Sequence, residues 1–221
     1  MRKKLWTAVD DYFADLLARP DAPLQAALDE SLKAGLPPHQ VAPAQGKLLQ
    51  LLVRLRGAQN ILEIGTLGGY STIWLARGLG ADGRVVTLES EARHAGIARA
   101  NIARAGLAEV VEIRVGPAVE TLSRLVQEGV RPFDLIFIDA DKANNDRYLH
   151  CALELSDTGT VIIADNVVFG GAVIDEASTN PSVVGARRFM EALAAEPRVT
   201  ATALQTVGAK GHDGFVLALV L

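Results

Sequence analysis

A single cysteine, Cys151, stands in 221 residues, so the chain can form neither an internal disulfide nor a cysteine-based zinc site, and a disulfide-stapled secreted scaffold is excluded. The four histidines, His39, His94, His150 and His212, include no closely spaced pair, which leaves zinc without its other usual ligand. No Lys/Arg-rich block is present and the formal net charge is −4, so nothing attracts a phosphate backbone globally or locally. Nucleic acid is not an expected partner. No uncharged apolar run approaches the roughly 18 residues needed to span a bilayer. The basic opening is followed by an apolar stretch over only residues 5–9 before Asp10 and Asp11, too short for a signal peptide. The expectation is a cytoplasmic protein with no membrane partner.

What the chain does have is the composition of a globular domain, with 49% hydrophobic and 22% charged residues in a length that one core can serve. No repeat, low-complexity tract or composition break marks a second domain. Residues 1–221 therefore read as one domain, with N-terminal helices over 1–57 and an α/β core over 58–221. In the helical part Asp21 reads as the cap of a Pro-started helix that Gly35 closes before Pro37-Pro38. A further helix is predicted from Pro43 toward Leu55, its Leu48, Leu51, Leu52 and Leu55 facing a core.

From Asn60 the pattern changes. Short apolar runs at 61–64, 85–88, 110–115, 133–138 and 161–164 alternate with helical stretches at 70–77, 90–105 and 117–128. Ser90 reads as an N-cap and Gly106 as a helix stop. Such alternation builds a doubly wound α/β sheet of buried parallel strands with helices on both faces. The last two strands, 199–204 and 215–221, are separated by a Gly-rich loop at 208–214 and predict a terminal antiparallel hairpin.

The first strand runs into Glu63-Ile64-Gly65-Thr66-Leu67-Gly68-Gly69-Tyr70-Ser71, where glycines permit backbone conformations and ligand approach that side chains block. The spacing G-x-x-G-G lacks the G-x-G-x-x-G that seats a pyrophosphate. Glu89, at the end of the next strand, is placed to accept hydrogen bonds from both ribose hydroxyls. A nucleoside without a diphosphate is the reading, and the acidic Glu63 suits a positively charged ligand such as S-adenosylmethionine.

A second cluster is rich in oxygen. Asp139-Ala140-Asp141-Lys142 follows the fourth strand and Asp165-Asn166 ends the fifth, so both emerge at the carboxyl edge where open α/β sheets bind ligands. Asp139, Asp165 and Asn166 offer two carboxylates and an amide oxygen, the donor set of Mg²⁺. Lys142 lies near enough to share the site and, when neutral, to act as a base.

Together these residues resemble the cation-dependent, S-adenosylmethionine-dependent O-methyltransferases of the catechol and caffeoyl-CoA type. The resemblance rests on Val41-Ala-Pro-Ala-Gln-Gly-Lys-Leu-Leu, Leu62-Glu-Ile-Gly-Thr-Leu-Gly-Gly-Tyr-Ser, Phe137-Ile-Asp-Ala-Asp-Lys and Ala164-Asp-Asn-Val-Val-Phe-Gly-Gly. It implies a Rossmann-like class I methyltransferase sheet of seven strands. By matching position, Val41, Glu63, Gly65, Thr66 and Ser71 would hold the methionine part of the cofactor, Glu89 the ribose and Ala118 the adenine. Asp139, Asp165 and Asn166 would be the metal ligands, for Mg²⁺ first and Ca²⁺ or Mn²⁺ otherwise, with Asp139 also beside the cofactor and Lys142 the base. A phenolic vicinal diol as acceptor and a homodimer are implied as well. Ala143, Asn145 and Phe169 depart from residues frequent in that family, near the expected acceptor pocket. An NAD(P)-dependent Rossmann oxidoreductase and a catalytically silent methyltransferase-fold binding protein are the alternatives. A base-modifying methyltransferase is disfavoured by the lack of Asn/Asp-Pro-Pro-aromatic after the fourth strand.

Overall fold

The computed structural model describes residues 2–221. Three helices come first: α1 (Arg2–Leu17), α2 (Ala22–Lys33) and α3 (Pro43–Arg56). The core then alternates as β1 (Asn60–Ile64), α4 (Tyr70–Ala76), β2 (Arg84–Glu89), α5 (Ala92–Arg104), β3 (Val111–Val115), α6 (Ala118–Gln127) and β4 (Phe133–Ile138). It ends with α7 (Asn145–Glu154), β5 (Ser156–Asp165), α8 (Pro181–Ala195), β6 (Val199–Gly208) and β7 (Gly211–Val220). Two short 3-10 turns, Lys142–Asn144 and Phe169–Ile174, follow β4 and β5.

The strands form one seven-stranded sheet in the order β3-β2-β1-β4-β5-β7-β6. Those from β3 to β5 are parallel, and β7 runs antiparallel to both β5 and β6, so the reversed terminal hairpin and the doubly wound α/β plan are both present. Side chains alternate along each strand and feed two cores. Leu62, Ile64, Val86 and Ile136 pack with α6, α7 and α8 on one face. Ile61, Val85, Leu135 and Ile163 pack with α2 to α5 on the other. No helix among the described residues is long and apolar enough to cross a membrane.

Several local expectations are corrected. The apolar face of α3 is rotated: Gly46, Leu49, Gln50 and Val53 are buried, whereas Leu51 is 46% and Leu55 82% exposed. The cause is Trp74, whose indole packs so close to Gly46 that a Cβ there would collide with it, which turns the glycine side of α3 inward. Helix α5 is capped at Glu91 and not Ser90, and no side chain bonds its first turn. The strand at 111–115 is the sheet edge and only half-buried. The hairpin closes through Ala209 and Lys210 alone, because Gly208 pairs with Gly211 and the predicted loop is mostly strand. Asp21 does cap α2, accepting the Leu24 N–H at 3.2 Å, and Gly35 follows α2 with φ of 71°.

Candidate active site

The register of the sheet brings the site together. Glu63 lies opposite Thr87 on β2 and Phe137 on β4, and Phe137 lies opposite Ile163 on β5. Two residues further along each strand, on the same face, come Gly65, Glu89, Asp139 and Asp165. One period-2 row thus ends at the carboxyl edge with a glycine and three acids. Gly65 has φ of 105°, and a Cβ on it would strike the Asp139 backbone carbonyl, so only glycine lets β1 and β4 leave the sheet this close together.

That edge forms the floor of a cleft of about 1140 Å³. Of the candidate residues, Val41, Gly65, Thr66, Ser71, Glu89, Ala118, Asp139, Lys142, Asp165 and Asn166 all line it. Glu63 does not. It is 0% exposed on the helix-covered face, and its carboxylate accepts Ser71 Oγ–H at 2.6 Å on Oε1 and Thr72 Oγ1–H at 2.5 Å and Thr87 Oγ1–H at 2.7 Å on Oε2. Thr87 Oγ1 lies 2.6 Å from Thr66 Oγ1. Direct contact of Glu63 with a ligand is therefore corrected to an indirect role: it fixes two hydroxyls of the cleft wall, Ser71 directly and Thr66 through Thr87.

Burial raises the Glu63 carboxyl from its ordinary 4.5 to about 7, against the three hydroxyl bonds that lower it. An acid with a higher pKa folded than unfolded binds its proton more tightly when folded, so its contribution to stability declines as pH rises from 4.5 toward 7. Glu63→Gln is expected to flatten the fall in unfolding free energy between about pH 5 and pH 8, read from urea midpoints. Asp165, raised as well, preserves part of the slope. An unchanged slope would remove Glu63 as its source.

On the β2 side of the cleft Glu89 is held from two directions. Its Oε2 accepts the Leu67 N–H at 2.7 Å and its Oε1 the Glu91 N–H at 3.0 Å, so backbone donors orient the carboxylate, with His94 Nδ1 3.6 Å from Oε1. Leu67 takes φ of 50° to deliver that N–H, a strained value for a leucine. Each oxygen retains acceptor capacity for a hydroxyl.

On the β4–β5 side Lys142 Nζ donates to Asp139 Oδ1 at 2.9 Å, with the lysine nearly buried. Its 3-10 turn is clamped by α8, where a Cβ on Gly185 would collide with the Lys142 carbonyl. Burial first, and the Asp139 charge second, push Asp165 above the usual carboxylate range, while Lys142 and a hydrogen bond from Gln45 on α3 oppose them. Asn166 has left-handed backbone, φ 56°, and its side-chain amide makes no hydrogen bond among the described residues. Two neighbouring acids and a free amide oxygen form a hard donor set with excess negative charge, which fits a hexacoordinate cation that keeps waters. Among the described residues no group of three or more His, Cys, Asp and Glu gathers, and the cluster here is two carboxylates with an amide.

Residues that sequence reasoning missed complete the walls. Tyr148 and Phe215 line the cleft beside the β4–β5 cluster, and Tyr148 donates its hydroxyl to Asp141 Oδ1. Asp213 Oδ1 accepts the Val168 and Phe169 N–H groups at 3.0 and 3.3 Å, tying the turn after β5 to β7. The departures at Ala143 and Asn145 lie outside the lining, and Asn145 is 0% exposed, its amide without a partner among the described residues. Phe169 does line the cleft, as expected.

Residues 20–220 match the model of a family described as O-methyltransferase. A catechol O-methyltransferase of Niastella koreensis is 52% identical over 220 residues, covering 100% of both chains. One from Mycobacterium tuberculosis is 51% identical, covering 96% of this chain and 94% of the relative. An O-methyltransferase from Bacillus cereus, solved in complex with SAH, superposes with a TM-score of 0.97 at 60% identity, covering 99% of both chains. TomG of Streptomyces achromogenes, involved in tomaymycin synthesis and solved with SAM, gives 0.96 at 50% identity over 100% of this chain and 99% of that one. With its cleft at the carboxyl edge and its whole length matched, this chain belongs to the O-methyltransferase family.

Proposed function

We propose that the protein transfers the methyl group of S-adenosylmethionine to one hydroxyl of a vicinal diphenol and depends on a divalent cation, Mg²⁺ first and Mn²⁺ or Ca²⁺ otherwise. The observation that carries this reading is that one cleft holds two chemistries on adjacent strand ends. The carboxylate of Glu89 and the hydroxyls of Ser71 and Thr66 lie on the β1–β2 side, and the Asp139, Asp165, Asn166 and Lys142 cluster on the β4–β5 side. Its 1140 Å³ exceeds what one small ligand fills, so a nucleoside cofactor and an acceptor fit side by side. The ligands of two solved neighbours and the catechol names of two relatives support the same assignment. Family membership sets the oxidoreductase alternative aside.

In this reading Glu89 binds the ribose hydroxyls, Ala118 borders the adenine, and Val41, Gly65, Thr66 and Ser71 hold the methionine end, with Glu63 acting through Ser71. Asp139, Asp165 and Asn166 would hold the cation, which when bound acts as a Lewis acid on two adjacent hydroxyls. A phenol has a pKa of about 10, so at neutral pH little of it is the attacking oxyanion. Lys142, in its neutral form, removes that proton. The oxyanion then forms a bond to the sulfonium methyl carbon while the carbon–sulfur pair returns to sulfur, and S-adenosylhomocysteine leaves. Tyr148, Phe169 and Phe215 wall the acceptor ring and exclude water. A second copy of the chain is proposed on the exposed apolar stripe of α1, which includes Leu5, Tyr12 and Leu16; sedimentation equilibrium reads it.

The test is a methylation screen over vicinal diphenols, caffeoyl esters and hydroxylated natural products, with Mg²⁺ and with chelator. Product from vicinal diphenols that disappears under chelation is expected. No product from any of them, or undiminished product under chelation, rejects the reading, and no turnover of any acceptor favours the silent binding protein.

A further inference from the structure

The cleft has a third wall that the reaction above leaves without a role. In the sheet order the cofactor half lies over β2 and β1, the acid–lysine cluster over β4 and β5, and β7 and β6 continue beyond it. The turn of the β6–β7 hairpin therefore borders the side of the cluster opposite the cofactor. Thr206, Val207, Gly208, Lys210 and Gly211 all line the cleft there. The turn is held from outside the sheet at two points. Ala209 N–H donates to Asp10 Oδ2 of α1 at 2.7 Å, and Lys210 Nζ donates to the Pro38 carbonyl at 2.5 Å.

Lys210 stands outside the ion pairs of the cleft. On this side the carboxylates are Asp10, Asp141 and Asp213, oriented but not neutralised by hydrogen bonds from Ala209, from Tyr148 and Asn144, and from three backbone N–H groups respectively, and none of them pairs with Lys210. Lys142, the other lysine of the lining, is paired with Asp139. Among the described residues Lys210 takes part in no ion pair, and a backbone carbonyl is its single hydrogen-bond acceptor, leaving two N–H donors. Desolvation lowers its pKa from the ordinary lysine value, with the Asp139 charge pulling the other way. An ammonium in no ion pair, held at the mouth of a cleft by one backbone carbonyl, can serve as a recognition element for an anion.

We propose that Lys210 is a specificity-determining residue that selects acceptors bearing a carboxylate on the side chain of the diphenol ring, so that the favoured substrates are dihydroxyphenyl carboxylic acids. The proposal rests on the methyl-transfer reading above and names the acceptor class within it. With the two hydroxyls at the Asp139–Asp165–Asn166 cluster, the substituent on the far side of the ring points away from the cofactor and toward the hairpin turn. A neutral acceptor can occupy the same ring site but leaves the two free N–H donors of Lys210 to water.

The experiment compares 3-(3,4-dihydroxyphenyl)propionate with its uncharged carboxamide as acceptors, in the wild-type enzyme and in Lys210→Met and Lys210→Arg. The expected result is a lower KM for the acid than for the amide in wild type. Lys210→Met is expected to raise KM for the acid about tenfold, with kcat and the KM for the amide unchanged, the size of one partly exposed charge-assisted bond. Lys210→Arg restores the preference, and added salt weakens it in wild type. A general loosening of the hairpin through the lost Pro38 bond would instead raise both KM values together, which rejects recognition by charge. Equal KM for acid and amide in wild type also rejects the proposal while leaving the methyl-transfer reading intact. Failure to methylate either compound rejects the acceptor class, and the wider screen above decides the methyl-transfer reading.

Discussion

Asp165→Ala is expected to lower turnover by about 10³-fold or more, the loss of several kcal/mol of Lewis-acid stabilisation at about 1.4 kcal/mol per decade. Affinity for S-adenosylmethionine is expected to stay within about twofold, because Asp139, the residue the two halves have in common, is left in place and no hydrogen bond among the described residues links Asp165 to Ser71, Thr66 or Glu89. Asp165 ends β5, whereas Ser71 and Glu89 are oriented by Glu63 and by the Leu67 and Glu91 N–H groups on the β1–β2 side. The variant should fold, since the carboxylate it removes is buried beside Asp139 and disfavoured there by both burial and charge. Calorimetric titration with cofactor and Mn²⁺ binding followed by electron paramagnetic resonance separate the two functions. Cofactor binding intact with Mn²⁺ binding lost is the expected pair. Equal loss of cofactor affinity and turnover on a folded variant would overturn the division of the cleft into two halves.

Lys142→Met is expected to lower kcat by about 10²- to 10⁴-fold, the range for removing a positioned general base. Metal binding should persist or tighten, because the ammonium that now donates to Asp139 at 2.9 Å competes for the same carboxylate. A nitro-substituted diphenol, whose hydroxyl is largely ionised without help, should lose far less than an unsubstituted one. That contrast discriminates a base from a lysine that merely steadies Asp139. An equal loss with both acceptors would assign Lys142 to structure alone.

Much of this site was legible because its residues end apolar runs. Asp139 follows the apolar run 135–138 of β4 and Asp165 ends the apolar run 161–164 of β5, and an acid there signals a carboxyl edge more than a turn. Gly65 follows β1 and Glu89 ends β2 in a similar way. The misplacement of Glu63 has a physical cause as well. It precedes Gly65 by one strand period, so it faces the same side but one row deeper, beneath α4, and three hydroxyls from positions 71, 72 and 87 receive it there. No spacing rule links those positions. The rotation of α3 depended on Trp74, distant in sequence, reaching Gly46. The hairpin wall of the cleft was invisible for the same reason: Lys210 meets Pro38 across 172 positions and Asp10 meets Ala209 across 199, and neither pair forms a motif. Hairpin geometry hid the turn as well, since a Gly-rich stretch reads as loop even when paired strands run nearly through it.

The anchoring of the hairpin turn to α1 and to the Pro38 segment separates two kinds of inheritance within one cleft. In the proposed reading the acids of the cation cluster sit at the ends of central strands, where any shift disturbs both cores. Part of the acceptor wall, by contrast, is a hairpin turn steadied from the periphery, by the first helix and a proline-rich connection, while Tyr148 and Phe215 belong to the packed core of α7 and β7. A lineage can therefore exchange its clientele while its reaction stays fixed. An engineer wanting a new methylated product has the same freedom, with randomisation confined to positions 37–40 and 206–211.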